Sequence, residues 1–244
     1  MTKISIIIPI LNEAETIEKL LNHLIENSSK QNIAEIIIVD GGSTDGSLEI
    51  VSGRAQSRPI DLSTALEETA IVALNSEKGR AKQMNTGSKV ATENILYFLH
   101  ADSFPPKDFD LHIINEVENG HLAGCFRLQF DHSHWWLRLA SWLTQFHWRA
   151  CRGGDQSQFI TKALFDDIGG FDESYIIYED NILINELYSR KQFKVINKKL
   201  RTSARRYEKH GIWKLQYHFW AIYVKKWLGA SAEDLHNYYK KYIA

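Results

Sequence analysis

Hydrophobic residues in this chain gather into short unbroken runs, separated by stretches with helical spacing. ISIIIPIL (4–11), AEIIIVD (34–40), AIVALN (70–75) and ILYFLH (95–100) are continuous and mostly β-branched. That is the pattern of strands covered on both faces. After the first run, apolar residues fall at 17, 20, 21, 24 and 25, which predicts a helix over 12–28. Asn12 suits its N-cap, and Glu13 and Glu15 suit its positive end. Ser47–Ala55 and residues 79–91 read as two further helices, and 56–69 as a polar connection. Strand and helix alternating in this way predict an α/β fold with a parallel, doubly wound sheet. Such sheets bind ligands at the carboxyl ends of their strands. Four polar clusters fall there: Pro9–Glu13, Asp40–Ser43, Asn75–Arg80 and His100–Asp102.

The second half is less regular. GCFRLQF (124–130) alternates like a strand with one wet face, and 134–150 reads as an aromatic helix with Trp135, Leu139, Trp142 and Phe146 at helical spacing. GGDQSQFI (153–160) is a glycine turn leading into an apolar segment. Residues 164–190 end as a helix led by Glu179 and Asp180, and 194–211 give an edge strand and a basic segment. The tail, 212–228, is crowded with Trp and Tyr among lysines and histidines.

Composition narrows the function classes. A chain of 244 residues, 44% hydrophobic and 24% charged, can bury a large core. A net charge of −1 argues against nucleic acid as a partner. Cys125 and Cys151 are far apart and form no CxxC, which fits a reducing compartment and no disulfide scaffold. The first apolar run begins too early for a signal peptide, and no run reaches the length of a spanning helix. The expected location is the cytoplasm, with a peripheral position on the inner face of the membrane left open.

Several polar residues are candidates for chemistry. Asp40, before two glycines, suits either a contact to a base or ribose or a turn that caps the next helix. Lys78, Arg80 and Lys82 at a helix start suit a diphosphate or a solvated basic face. His100 and Asp102 at a strand end suit a divalent cation bound to phosphate, or a turn before Pro105-Pro106. Glu179-Asp180 at a helix start suits a general base or simple helix-end electrostatics. Asp166-Asp167 reads as surface.

Together, SIIIPILNEAETI, IIIVDGGSTDGS, GRAKQMNTGSKVA, YFLHADS, GGFDE and YEDNILINELY resemble the family 2 glycosyltransferases of GT-A fold, from residue 4 to about 190. Within the family, GRAKQMN, FLHADS and RGGDQSQF are similar to a small bacterial subgroup. The resemblance implies a nucleotide-diphosphate-sugar donor, transfer with inversion to an acceptor hydroxyl or carboxyl, and a need for Mn²⁺ or Mg²⁺. It implies that Pro9, Asn12 and Glu13 line the nucleotide pocket, that Asp40 bonds base or ribose, and that Arg80 lies near the diphosphate. Asp102 matches the last acid of the DxD metal motif, whose first acid is His100 here. Asp180 matches the catalytic base, with Glu179 beside it. Asp155 and Gln156 are candidate sugar or acceptor contacts, and composition adds Arg205, Arg206 and His210 to the phosphate site. Residues 1–205 would form the transferase domain, divided into a nucleotide half (1–103) and an acceptor half (104–205), with 206–244 as a helical extension.

The aromatic segments suit ordinary core packing first, and a helix at a membrane interface second. The interfacial reading would go with a lipid-linked acceptor. Two rivals to the enzyme remain, a nucleotidyltransferase and a catalytically silent nucleotide-sugar binder.

Overall fold

The four unbroken runs become four parallel strands, β1 (Ile4–Ile10), β2 (Ile33–Asp40), β3 (Ala70–Asn75) and β4 (Ile95–Phe98), side by side in the order β3-β2-β1-β4. The structure is a computed structural model that describes residues 2–56 and 69–243; most of the polar connection 56–69 lies outside them. Along β1, Ile6, Ile8 and Ile10 enter one core and Ile7 enters the other. Both faces are covered, which is why this strand shows no polar alternation.

Helix α1 (Ala14–Glu26) covers the first face with Ile17, Leu20, Leu21 and Leu24. Helix α2 (Ser47–Gln56) follows β2, and α3 (Arg80–Val90) covers the second face. Close packing of α3 depends on Gly87, where an added Cβ would stand 2.6 Å from Cγ2 of Ile7. Asn12 is not the N-cap of α1. Its backbone is left-handed (φ 56°), and its Oδ1 accepts instead from the Thr44 N–H at 2.9 Å. Glu13 takes the cap position, and the first helical N–H, of Ala14, is satisfied from across the turn by Asp45 Oδ2 at 3.0 Å.

Beyond β4 the sheet becomes mixed. It continues β4-β7-β6-β8-β5 through β7 (Gln158–Thr161), β6 (Ala123–Phe130), β8 (Phe193–Thr202) and the two-residue β5 (Ser103–Phe104). Strand β7 runs antiparallel to β4 and β6, β8 runs parallel to β6, and β5 runs antiparallel to β8. Strand β6 has no wet face over its first four residues, because β7 and β8 flank it and both cores reach it. Strand β8 lies at the edge over most of its length, and the short β5 covers only its end, at Arg201 and Thr202.

Helix α4 (Phe109–Glu118) was not among the expected elements. Its Asp110 is fully buried and accepts from Ser29 N (2.9 Å) and Asn32 Nδ2 (2.8 Å), tying the α1–β2 connection to it. Helix α5 (Trp135–Leu143) is shorter than the 134–150 expected. The carbonyls that would continue it, of Thr144 and Phe146, accept from the buried Arg152 guanidinium at 2.6 and 2.7 Å. After α6 (Lys162–Ile168) and α7 (Glu179–Ser189), the chain ends in α8 (Arg205–His210), α9 (Ile212–Trp227) and α10 (Ala232–Tyr242). These last helices share a third core with α5 and residue 177: Leu137, Ile177, Tyr207, Leu215, Ile222 and Leu235.

Candidate active site

A cleft of about 470 Å³ opens at the carboxyl ends of the parallel strands, within the usual range for a small-molecule site. Pro9 near the end of β1 and Glu13 beyond it, Lys78 and Arg80 at the start of α3, and His100 and Asp102 after β4 stand on its wall. The second half of the chain supplies Asp155, Arg205 and Arg206. Helix α10, within the helical extension expected over 206–244 but not expected at the site, adds His236, Tyr239 and Lys240. Its Ser231/Asp234 capping box was the signal available for it.

Asp102 lies in a turn, closed by Ser103 N–H to His100 C=O at 3.1 Å, rather than on an extended strand. Both side chains still face the cleft. Burial pushes the Asp102 carboxyl above the usual carboxylate range; Asp155 and Glu13 add to this, while His100 and Arg205 oppose it. The Arg205 guanidinium grips Glu13 with two bonds, Nη1–Oε2 at 3.0 Å and Nη2–Oε1 at 2.5 Å, and stands 3.5 Å from Asp102 Oδ2.

The donors present suit a divalent cation only if phosphate shares it. Asp102 and His100 offer one carboxylate and one imidazole on the same wall. Among the described residues, no group of three or more His, Cys, Asp or Glu converges on one point. The rest of the shell would come from diphosphate oxygens and water, a common arrangement for Mg²⁺.

Deeper in the same region, Glu179 is completely buried at the start of α7. Arg80 Nε lies 2.8 Å from its Oε1. Burial, eased by Arg80 and reinforced by Asp180, pushes the Glu179 carboxyl up to about 7. For Arg80, burial works against the charge, but Glu179, Asp180 and Asp155 outweigh it and raise its pKa. Asp155, on the cleft wall, thus acts electrostatically on both Asp102 and the Arg80–Glu179 pair.

Asp180 is 8% exposed and pressed against the glycine turn. A Cβ on Gly154 would stand 1.9 Å from Asp180 Oδ2, so only glycine leaves room for this carboxylate. Sequence reading noticed the turn but not this contact. Next to Glu179, Tyr178 is left-handed at φ 74°, and Ser157, after Gln156, is left-handed at φ 59°. Strained backbone at both ends of the acidic pair's surroundings is typical of functional sites.

Glu179 and Asp180 are not among the residues that line the cleft, and other expected contacts lie off its wall as well. The Asp40 carboxylate is 2% exposed and accepts from Gly42 N, Ser43 N and Ser43 Oγ, the turn arrangement. Asn12 spans to Thr44. Gln156 is buried, with Oε1 accepting from Gly153 N at 3.3 Å. Lys82 pairs with Glu77, Asp167 pairs on the surface with Arg190, and His210 is not among the cleft residues.

The fold is that of the GT-A class. The family model described as Glycosyl transferase family 2 matches residues 5–172, and the chain belongs to that family. The match ends before Glu179. The glycosyltransferase AglE of Haloferax volcanii is 34% identical over 102 residues, 42% of this chain and 31% of AglE. An undecaprenyl-phosphate 4-deoxy-4-formamido-L-arabinose transferase of Proteus mirabilis is 25% identical over 144 residues, 58% of this chain and 41% of that protein. The chain therefore spans well under half the length of these relatives. Among solved structures, the mannosyltransferase PcManGT from Pyrobaculum calidifontis, in complex with GDP-Man and Mn²⁺, has a TM-score of 0.67 at 18% identity, over 97% of this chain and 69% of that one.

Proposed function

We propose that the protein transfers a sugar from a nucleotide-diphosphate-sugar to an acceptor hydroxyl or carboxyl, with inversion at the anomeric carbon. The observation that carries this reading is the convergence of two chemically distinct groups at one cleft. Asp102, His100 and Arg205 form a phosphate-suited group on the cleft wall, and Arg80 on the same wall reaches back to Glu179, buried behind it next to Asp180.

In this reading Asp180 accepts the acceptor's proton as the acceptor oxygen bonds to the anomeric carbon. The bond from that carbon to the diphosphate breaks, and its electron pair leaves with the diphosphate. Glu179 takes no proton from substrate; ion-paired with Arg80, it fixes the start of α7 and so the position of Asp180. Arg205 and Lys78 offer positive charge to the diphosphate oxygens. A divalent cation held by Asp102 and His100 would add Lewis-acid stabilisation of the same oxygens.

The Proteus mirabilis relative is named for an undecaprenyl-phosphate acceptor, which supports a lipid-linked acceptor here. Mn²⁺ in the PcManGT complex supports a cation as cofactor. Calorimetric titration of UDP, GDP, CDP and dTDP, each with and without Mn²⁺, tests the donor side. One nucleotide is expected to bind, and more tightly with the metal. Asp180→Asn is expected to cut transfer by about 10²–10⁴-fold with donor binding intact. Failure of all four nucleotides to bind would overturn the proposal, and a fully active Asp180→Asn would overturn the base assignment.

A further inference from the structure

The outer faces of α5 and α9 are unlike an ordinary soluble surface. On α5, Trp135, Leu139 and Trp142 project to solvent at i, i+4 and i+7. On α9, Trp213, Tyr217, Trp220, Val224 and Trp227 do the same along the whole helix, and Leu228 follows. Trp227 is 84% and Leu228 73% exposed. The inner faces already supply the third core through Leu137 on α5 and Leu215 and Ile222 on α9. Packing therefore does not account for the outer stripes.

The two stripes form one surface. The Trp213 ring lies 5.7 Å from that of Trp135 and 5.5 Å from that of Trp136, and Trp136 lies 5.7 Å from Trp220. The Trp136 indole N–H donates to Gln216 Oε1 at 3.0 Å and locks the helices side by side. A contiguous patch of this kind on a water-facing surface marks an interaction site.

Charge selects the partner. Neither α5 nor α9 contains an Asp or Glu. Exposed Arg138 sits one turn before Trp142, and exposed Lys214 and Lys225 sit one turn before Tyr217 and Leu228. Lys225 also lies 5.0 Å from the Tyr238 ring and acts on Asp234, both of α10. A second copy of the same face would set Arg138 and Lys214 against their counterparts with no acid on either helix to answer them, which disfavours self-pairing. No helix among the described residues is long and apolar enough to cross a membrane. Tryptophans bordered by Lys and Arg suit the headgroup layer of a bilayer. We propose that this face seats the protein on an anionic phospholipid surface, with the indoles at headgroup depth and Arg138, Lys214 and Lys225 against lipid phosphates.

The placement bears on the cleft. Phe219 of α9 lines the cleft while Trp220, the next residue, belongs to the docking face, and the half-exposed Ile176 lines the cleft as well. Only this consequence, a cleft held beside the bilayer where an apolar acceptor resides, rests on the glycosyl-transfer reading.

Flotation of the full chain with vesicles of phosphatidylcholine, alone or mixed with phosphatidylglycerol, tests the inference. Binding is expected with the mixed vesicles, with a blue shift of tryptophan emission, and should weaken as salt is raised. Trp227→Ser/Leu228→Ser and, separately, Lys214→Glu/Lys225→Glu should each lower binding about tenfold or more. Nucleotide titration of the same variants should be unchanged, so loss of the surface and loss of the donor site are read separately. A protein that stays soluble with both vesicle types overturns the inference. So does binding indifferent to both double variants, or a dimer in solution that Trp227→Ser/Leu228→Ser dissociates.

Discussion

Gly154 and Asp180 illustrate how tightly the acidic pair is held. The carboxylate occupies the space where any other residue's Cβ would go. Gly154→Ala is therefore expected to lower kcat at least tenfold by displacing Asp180, while nucleotide affinity stays near that of the parent; steady-state kinetics with a binding titration reads the split. Glu179 makes a pH prediction. Its folded pKa of about 7 lies above the ordinary glutamate value of 4.5, so between those values the folded state holds more of the proton. Its contribution to stability is full below about 4.5, declines as pH rises, and is lost above 7, a change of roughly 3 kcal/mol. Urea denaturation at pH 5 and pH 8 should show this decline in the parent and a flatter profile in Glu179→Gln.

At the scale of elements, two helix ends are set by groups distant in sequence. Helix α1 starts where Asp45 receives the Ala14 N–H, and α5 stops where Arg152 captures the carbonyls of Thr144 and Phe146. Arg152 is 2% exposed, with these carbonyls and the Cys125 sulfur at 3.5 Å as its partners. Arg152→Met keeps the side-chain stem but leaves buried carbonyls unpaired, and should destabilise the fold by about 2 kcal/mol in chemical denaturation. Because the same arginine precedes the Gly153-Gly154 turn, transfer should fall with it even at temperatures where the variant stays folded.

For the molecule as a whole, the cleft joins both halves of the sheet and the C-terminal helices. A ligand bound there bridges parts that otherwise meet mainly through the sheet and the third core. Binding to the folded state alone stabilises it by about 2.7 kcal/mol at a hundredfold excess over Kd. Thermal melting should therefore shift upward with the preferred nucleoside diphosphate plus Mn²⁺, and EDTA should remove much of the shift. A shift insensitive to EDTA would place the phosphate work on Arg205 and Lys78 instead of Asp102 and His100.

The parallel half of the fold was legible in the sequence because buried parallel strands write themselves as unbroken β-branched runs, and because strand ends locate ligand sites. Helix α4 was missed although Phe109, Ile113, Ile114 and Val117 fall at helical spacing, and α10 lay within the expected helical extension, its start marked by Ser231 and Asp234, without its place at the cleft being legible. The aromatic spacing in α5 and α9 was visible too, but periodicity has no sign: it tells that Trp135, Trp142, Trp220 and Trp227 share a helix face, not whether that face looks inward. Packing decided it, by giving the inner positions to Leu137, Leu215 and Ile222 and leaving the tryptophans outside. Local composition placed Asp102, Glu179 and Asp180 at element ends. Only the tertiary structure brought Arg80 to Glu179, Arg205 to Glu13 and Gly154 to Asp180, because those pairs are far apart in the chain and their meeting depends on how the sheet is ordered.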